Sequence, residues 1–282
     1  MGITRYDITS AAFQPERAPD YELSILAGMD SFAYAIRDRT TNTLLAYRST
    51  DLDPIELDNW SATLDKLVRD DLKLRTPRYG SRLLAFDSPR ATLVPRELYR
   101  EEQRRAYLEQ LTALGLEDEV RAESFHELDA ALVFAAPADR LAATERRLMP
   151  RRTHHPAGGV LVAWGKRSER LQHVAVSAAI RGRRIMLAAH RAGRLLFFNS
   201  FQFVSAEEAV YYVLLAYREA GVAPTRAALY LCGEVTEHSE LYRHFYTYVE
   251  DVRFCQSVTP PAAAPELAQV PGHVFFELLC LG

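Results

Sequence analysis

Three arginines surround one glycine at Arg181, Gly182, Arg183 and Arg184, a spacing that gathers guanidinium groups at one tight turn. Such a tip can grip an anion, because the planar guanidinium fork matches phosphate or carboxylate oxygens. In a chain with 31 arginines and three lysines, the plainer expectation is a solvated hairpin turn. A second stretch, Gly158-Gly159 through Gly165-Lys166-Arg167, comes near a phosphate-binding loop. Its glycine spacing is one residue too long, Arg167 stands where a Mg²⁺-binding hydroxyl is needed, and its interior VLVAW suits a packed helix or strand. The histidines His154, His155, His173, His190, His238 and His244 show no metal-ligand spacing, and neighbours in an extended chain point to opposite faces. Cys232, Cys255 and Cys280 are odd in number and widely spaced, with no CxxC, so neither a disulfide framework nor a zinc ribbon is expected. No GxSxG elbow occurs. The expectation is no catalytic residue and no metal site. Phe197, Phe198, Phe201, Phe203, Tyr211 and Tyr212 lack interleaved basic residues, which favours core or lobe-interface packing over base stacking.

The elements that must hold these residues repeat. From Tyr21 to Arg48, apolar alternation (Leu23, Ile25, Ala27; Phe32, Tyr34, Ile36; Leu44, Leu45) broken by short polar turns predicts three antiparallel strands. A helix follows from about Asp58 with Trp60, Leu64, Leu67 and Val68 on one face, then a strand over Ser81 to Phe86. A helix is expected from Pro95 through Leu114, capped by Gly115, then a strand over Ala131 to Ala135 and a helix to Leu148. His173 to Asn199 again reads as three strands. An offset of 151 sets Leu44-Leu45 on Leu195-Leu196 and Ala27 on Ala178. Ser205 and Glu208 form a capping box for the next helix, which Gly221 ends and Pro224 cannot continue. A strand over Ala228 to Cys232, a helix around Glu240 to Val249, a strand over Val252 to Phe254 and a helix near Phe275 complete the second pass. Duplication at this period predicts an α/β protein of two similar lobes, 21–150 and 170–282, facing each other across a cleft.

With 282 residues, 48% hydrophobic and 25% charged, the chain can fill two cores, which excludes wholesale disorder. Its 34 basic and 37 acidic side chains leave a net charge of −3, too balanced for a nucleic-acid or anionic-membrane binder. No apolar run reaches the roughly 20 residues that span a bilayer, and no targeting signal is read at the N-terminus, so a cytoplasmic protein is expected.

The stretches LSILAGMDSFAYAIRD, FFNSFQF leading into SAEEAVYYVLLAYRE, and LYLCGEVTEHSELYRHFYTYVEDVRF resemble the bacterial family of unknown function numbered 3822, within the superfamily of actin, Hsp70 and sugar kinases. That resemblance implies two tandem ribonuclease-H-like lobes in an actin-like ATPase arrangement, with ATP in the cleft of active members. Two hairpins grip the phosphates there, each usually carrying an aspartate ahead of a glycine. Here the first turn has Gly28, with Ala27 before it and Asp30 two residues after it, and the second turn, with Gly182, has no acid at all. Without carboxylates to hold Mg²⁺, hydrolysis is not expected. Paired glycines at the adenosine become Gly233 followed by Glu234, a bulky charge.

Gly28, Asp30, Gly182, Gly233 and Glu234 are therefore the candidate nucleotide-facing residues. The expected function is a degenerate, non-hydrolysing actin-like interaction or assembly module, with no cofactor and with a protein partner or self-association. The alternative is an ATP-binding ATPase or phosphotransferase with Asp30 as a displaced acid facing the cleft. If the cleft is open, Gly233→Trp is expected to leave stability intact while blocking nucleotide. More distantly, the resemblance extends to actin-like scaffolds of pilus and secretion machines.

Overall fold

Alternation and turn chemistry produce the first meander, β2 (Tyr21–Ala27), β3 (Ser31–Asp38) and β4 (Thr43–Asp51), preceded by an edge strand β1 (Thr4–Thr9). The computed structural model describes residues 3–28, 30–76, 78–171, 173–256 and 261–281, so Met29 of the first turn lies outside the described residues. Three helices follow, α1 (Pro54–Asp58), α2 (Trp60–Asp70) and α3 (Leu72–Arg75), then β5 (Ser81–Phe86). The sequence placed the helix cap at Asp58; Asp53 instead caps α1 in a capping box, and α2 starts after Asn59. Trp60, Leu64 and Val68 are buried on one face of α2 as its spacing requires.

The chain then departs from the expected plan. β6 (Ala91–Pro95), α4 (Arg104–Glu109), β7 (Asp118–Phe125) and β8 (Ala130–Pro137) form an inserted unit with its own sheet, order β6-β8-β7. No helix runs from Pro95 to Leu114. Leu98 and Leu111 are exposed and Leu108 alone of α4 is buried, so the segment lacks the apolar face a long helix must bury. Gly115 caps no helix; its N–H donates to Asp118. Nor is the apolar strand at Ala131–Ala135 the lobe's fifth, since it lies in the inserted sheet. That place belongs to β9 (Thr153–His154), reached through α5 (Ala138–Leu148) and followed by α6 (Pro156–Ser168).

The second pass gives β10 (Ala175–Arg181), β11 (Arg184–Arg191), β12 (Arg194–Gln202), α7 (Ala206–Glu219), β13 (Leu229–Gly233), α8 (Glu240–Tyr248) and β14 (Val252–Phe254). Its sheet order is β12-β11-β10-β13-β14, and the first sheet contains β4-β3-β2-β5-β9 with the same polarity: antiparallel across the meander, parallel beyond it. This is the ribonuclease-H-like order twice over. The first sheet also takes in β1 and the short β15 (Ala262–Ala263), both on β4, so it draws on residues outside 21–150.

Both central hairpins are buried on two faces, which is why their strands read as near-continuous apolar runs. In the first sheet, Leu23, Ile25 and Ala27 pack on α2 and α5, while Leu26, Ala33 and Ala35 pack on residues 264–281. In the second, Val176, Ala178 and Ile180 face α7 and α8, while Ala175 and Ala179 face α6. The last helix, α9 (Phe276–Leu279), touches β2 of one sheet and β13 of the other. The two sheets thus share a middle layer built by α6 and the C-terminal segment.

Candidate functional site

The two hairpin turns meet at the seam between the lobes. Ala27–Phe32 closes the first hairpin and Arg181–Arg184 closes the second. The offset of 151 had paired Ala27 with Ala178; the structure carries β10 on to Arg181, whose charge reads as turn in the sequence. Gly28 donates its N–H to Ser31 O at 2.7 Å, tightening the first turn. Asp30 points across the seam at the opposite hairpin. Its Oδ2 accepts the Arg183 N–H at 2.8 Å. Gly182 has a φ of +53°, and a Cβ there would lie 2.5 Å from Asp30 Oδ2, so both conformation and space favour glycine.

Arg181 and Arg184 are not solvated, contrary to the sequence expectation; of the three arginines only Arg183 is exposed. Arg181 donates from Nη1 to Glu234 Oε1 at 2.8 Å and from Nε to Glu277 Oε2 at 3.1 Å. Arg184 donates to the other oxygen of Glu277 and to Asp87. Glu277, on α9, therefore ties both arginines together and is itself fully buried. Glu234 also accepts hydrogen bonds from Tyr47 and Ser49 of β4, and Arg5 approaches its second oxygen at 3.4 Å. The network therefore spans both sheets and the middle layer.

Its electrostatics follow from burial opposed by pairing. Desolvation raises a buried carboxyl's pKa and a nearby guanidinium lowers it. For Glu277 burial pushes up, but Arg184 and Arg181 together hold the carboxyl below its usual range. Asp87 has one arginine and two acidic neighbours, so burial dominates and pushes it up to about 6. Arg181 stays charged because Glu234 and Glu277 outweigh its desolvation. Asp87 Oδ1, Arg181 Nη2 and Arg184 Nη1 are buried with no hydrogen-bond partner among the described residues. Beside them, Asp30, Asp87, Pro89, Arg184 and Gln202 line a cavity of only about 10 Å³.

Gly233 has a φ of +86°, and a Cβ there would meet Ile180 O at 2.1 Å. The condition under which Gly233→Trp was expected to spare stability, an open cleft, is not met at this glycine, which faces the Ile180 backbone. Gly158 and Gly159 are close-packing positions on α6, one against the Phe125 ring and the other against the Cys280 carbonyl, and no phosphate loop forms. His155 Nδ1 accepts the Ala157 N–H to cap α6, and its Nε2 meets Ser88 O at 2.8 Å. The three cysteines converge: Cys232 and Cys255 follow the paired residues Leu231 and Phe254, and share one core cluster with Cys280. Burial raises the Cys232 thiol pKa further from reactivity. No cluster of three or more histidine, cysteine or acidic side chains able to hold a metal occurs among the described residues. Of the aromatic cluster, Phe201 stacks on Tyr212 at 4.1 Å against the second core, while Tyr211 is exposed.

Gly28, Asp30, Gly182, Gly233 and Glu234, expected from the sequence to face a nucleotide, lie around the two hairpins, while Asp87, Glu277 and Tyr47, which join them in the network, were not expected there. The available signal was an acid inside an apolar run, Glu277 in VFFELLC, since a buried charge demands partners.

Among the described residues no helix is long and apolar enough to cross a membrane. No curated protein matches the chain. A Bacteroides thetaiotaomicron protein with an actin-like ATPase fold and unknown function superposes with a TM-score of 0.76 at 18% identity, covering 87% of this chain and 94% of that one. A PilM-PilN type IV pilus biogenesis complex contains a chain with a TM-score of 0.61 at 14% identity, covering 92% and 97%. The family described as "Protein of unknown function (DUF3822)" matches residues 10–252. Topology, duplicated hairpins and that match agree: the chain belongs to this family and has the actin-like ATPase fold.

Proposed function

We infer that this chain is an actin-like protein that does not turn over nucleotide and serves as an interaction or assembly module in the cytoplasm. The observation that carries this reading is the occupancy of the seam by the protein's own charges. Arg181, at the tip of the second hairpin, is neutralised by Glu234 and Glu277, and Asp30, at the tip of the first, is held by the Arg183 N–H. An entering triphosphate would compete with two buried carboxylates for the same guanidinium groups. Separating those pairs leaves buried charges unpaired, at a cost of about 3–5 kcal/mol for each broken pair. The same fold in the PilM-PilN complex supports a scaffold able to serve assembly.

Calorimetric titration with ATP, with and without Mg²⁺, tests the reading on the intact protein. No heat at millimolar nucleotide is expected. Micromolar binding that Asp30→Ala weakens would replace this reading with an ATP-dependent one.

A further inference from the structure

A large cavity lies away from the seam, beside the inserted sheet. It measures about 790 Å³ and runs along β7 from Glu119 to Phe125, with Thr153, His154 and His155 across it. β7 is the edge of its sheet, paired only with β8, and β9 is the edge of the first sheet. The Ala138 N–H donates to Glu117 O, which fixes the phase of the β7–β8 ladder. Residues 119, 121, 123 and 125 exchange hydrogen bonds with β8, and those between them turn their main chain outward. The N–H and C=O groups of Val120, Ala122 and Ser124 consequently face the groove and have no hydrogen-bond partner among the described residues.

The groove's charges are mostly spent on one another. Arg104 pairs with Glu101, Arg121 with Glu119 and Glu145, and His154 with Glu123. Arg151 and Arg152 remain, both exposed and neither with an ion pair among the described residues. The unspent features are therefore a strand edge and positive charge.

We propose that this groove receives an extended, carboxylate-bearing peptide segment of a partner protein, added as a strand to the β7 edge with its acidic side chains on Arg151 and Arg152. Main-chain hydrogen bonds supply affinity in such strand addition, and alternate side chains supply selectivity. The proposal rests on the interaction-module reading, and names the chemistry of the partner.

The test is fluorescence anisotropy on the full chain at low salt. The probe is a labelled, acetylated peptide of alternating glutamate and valine. Its controls are a lysine-for-glutamate twin and a twin N-methylated at alternate residues. The acidic peptide should bind, and both twins should bind at least about tenfold more weakly. Arg151→Glu with Arg152→Glu, both exposed, should weaken the acidic peptide by a similar factor and narrow its lead over the lysine twin. Ala122→Pro removes an outward N–H without touching the β8 ladder and should also weaken it. Equal binding of acidic and basic peptides, indifference to N-methylation, full competition by inorganic phosphate, or no binding at millimolar protein would each overturn the assignment. The nucleotide titration is independent: no ATP heat with no peptide binding removes the groove and leaves the interaction-module reading in place.

Discussion

Glu277 holds Arg181 through one carboxylate oxygen and Arg184 through the other, so one side chain of α9 keeps both ends of the second hairpin's closing pair neutralised. A buried triad of this kind is costly to form and more costly to break.

Arg181→Met should lower unfolding free energy by about 3–5 kcal/mol, because Glu234 and Glu277 lose a cation they cannot replace with water. Adding Glu234→Gln should restore part of that loss. Urea unfolding of the two variants reads both effects, and a single variant within about 1 kcal/mol of the parent would contradict the network's role.

Gly182→Ala should cost more in the parent than beside Asp30→Ala. In the parent the new methyl meets both a positive φ and the Asp30 carboxylate. With Asp30 truncated only the conformational strain remains, about 1 kcal/mol. Equal costs in the two backgrounds would mean that the hairpin tips do not press on each other.

Stability should fall on acidification. Burial holds His155 and His190 neutral, each with its pKa lowered to about 4. Between that value and the ordinary histidine range the unfolded chain binds two protons that the folded chain refuses, so stability rises with pH across this window. Asp87 opposes them: pushed up to about 6, its contribution is fully present below the ordinary aspartate range and is lost as pH rises through about 6. Two against one leaves a net loss towards pH 4. His190 has no hydrogen-bond partner for either ring nitrogen among the described residues. His190→Leu should therefore flatten the profile, recovering about 3 kcal/mol at its acid end. Denaturant melts across a pH series decide this, and an unchanged slope would count against it.

Gly159→Ala should destabilise by about 1–3 kcal/mol despite lying in a helix, where alanine is ordinarily favoured. The added Cβ would come within 1.8 Å of the Cys280 carbonyl, so α6 and the C-terminal segment must separate. A gain in melting temperature would show that this contact yields freely.

The doubled meander was legible because turn residues and apolar alternation report on neighbours close in sequence. The Ser205 cap and the strand at Ser81–Phe86 were found on the same grounds. The inserted sheet was not legible. β6 is short and half-buried and becomes a strand by pairing with β8 about 40 residues on, while β7, charged and half-buried, lacks the clean apolar alternation that marks a strand although it closes a short hairpin with β8. At the seam, glycines and the odd acid stood out as turn residues, but burial of Arg181 did not, because its partners Glu234 and Glu277 lie 53 and 96 residues away. Charge in a sequence reads as surface until its counter-charge is placed.

The return of residues 262–281 to the first sheet has a consequence for how the protein is made. β15 pairs with β4, Glu266 accepts the Ala11 N–H, and Glu277 reaches the second hairpin. On the ribosome, the first lobe must wait with one face uncovered until these residues emerge. Closure of loops this long makes their docking a late step, with apolar surface of the half-finished chain left open until then.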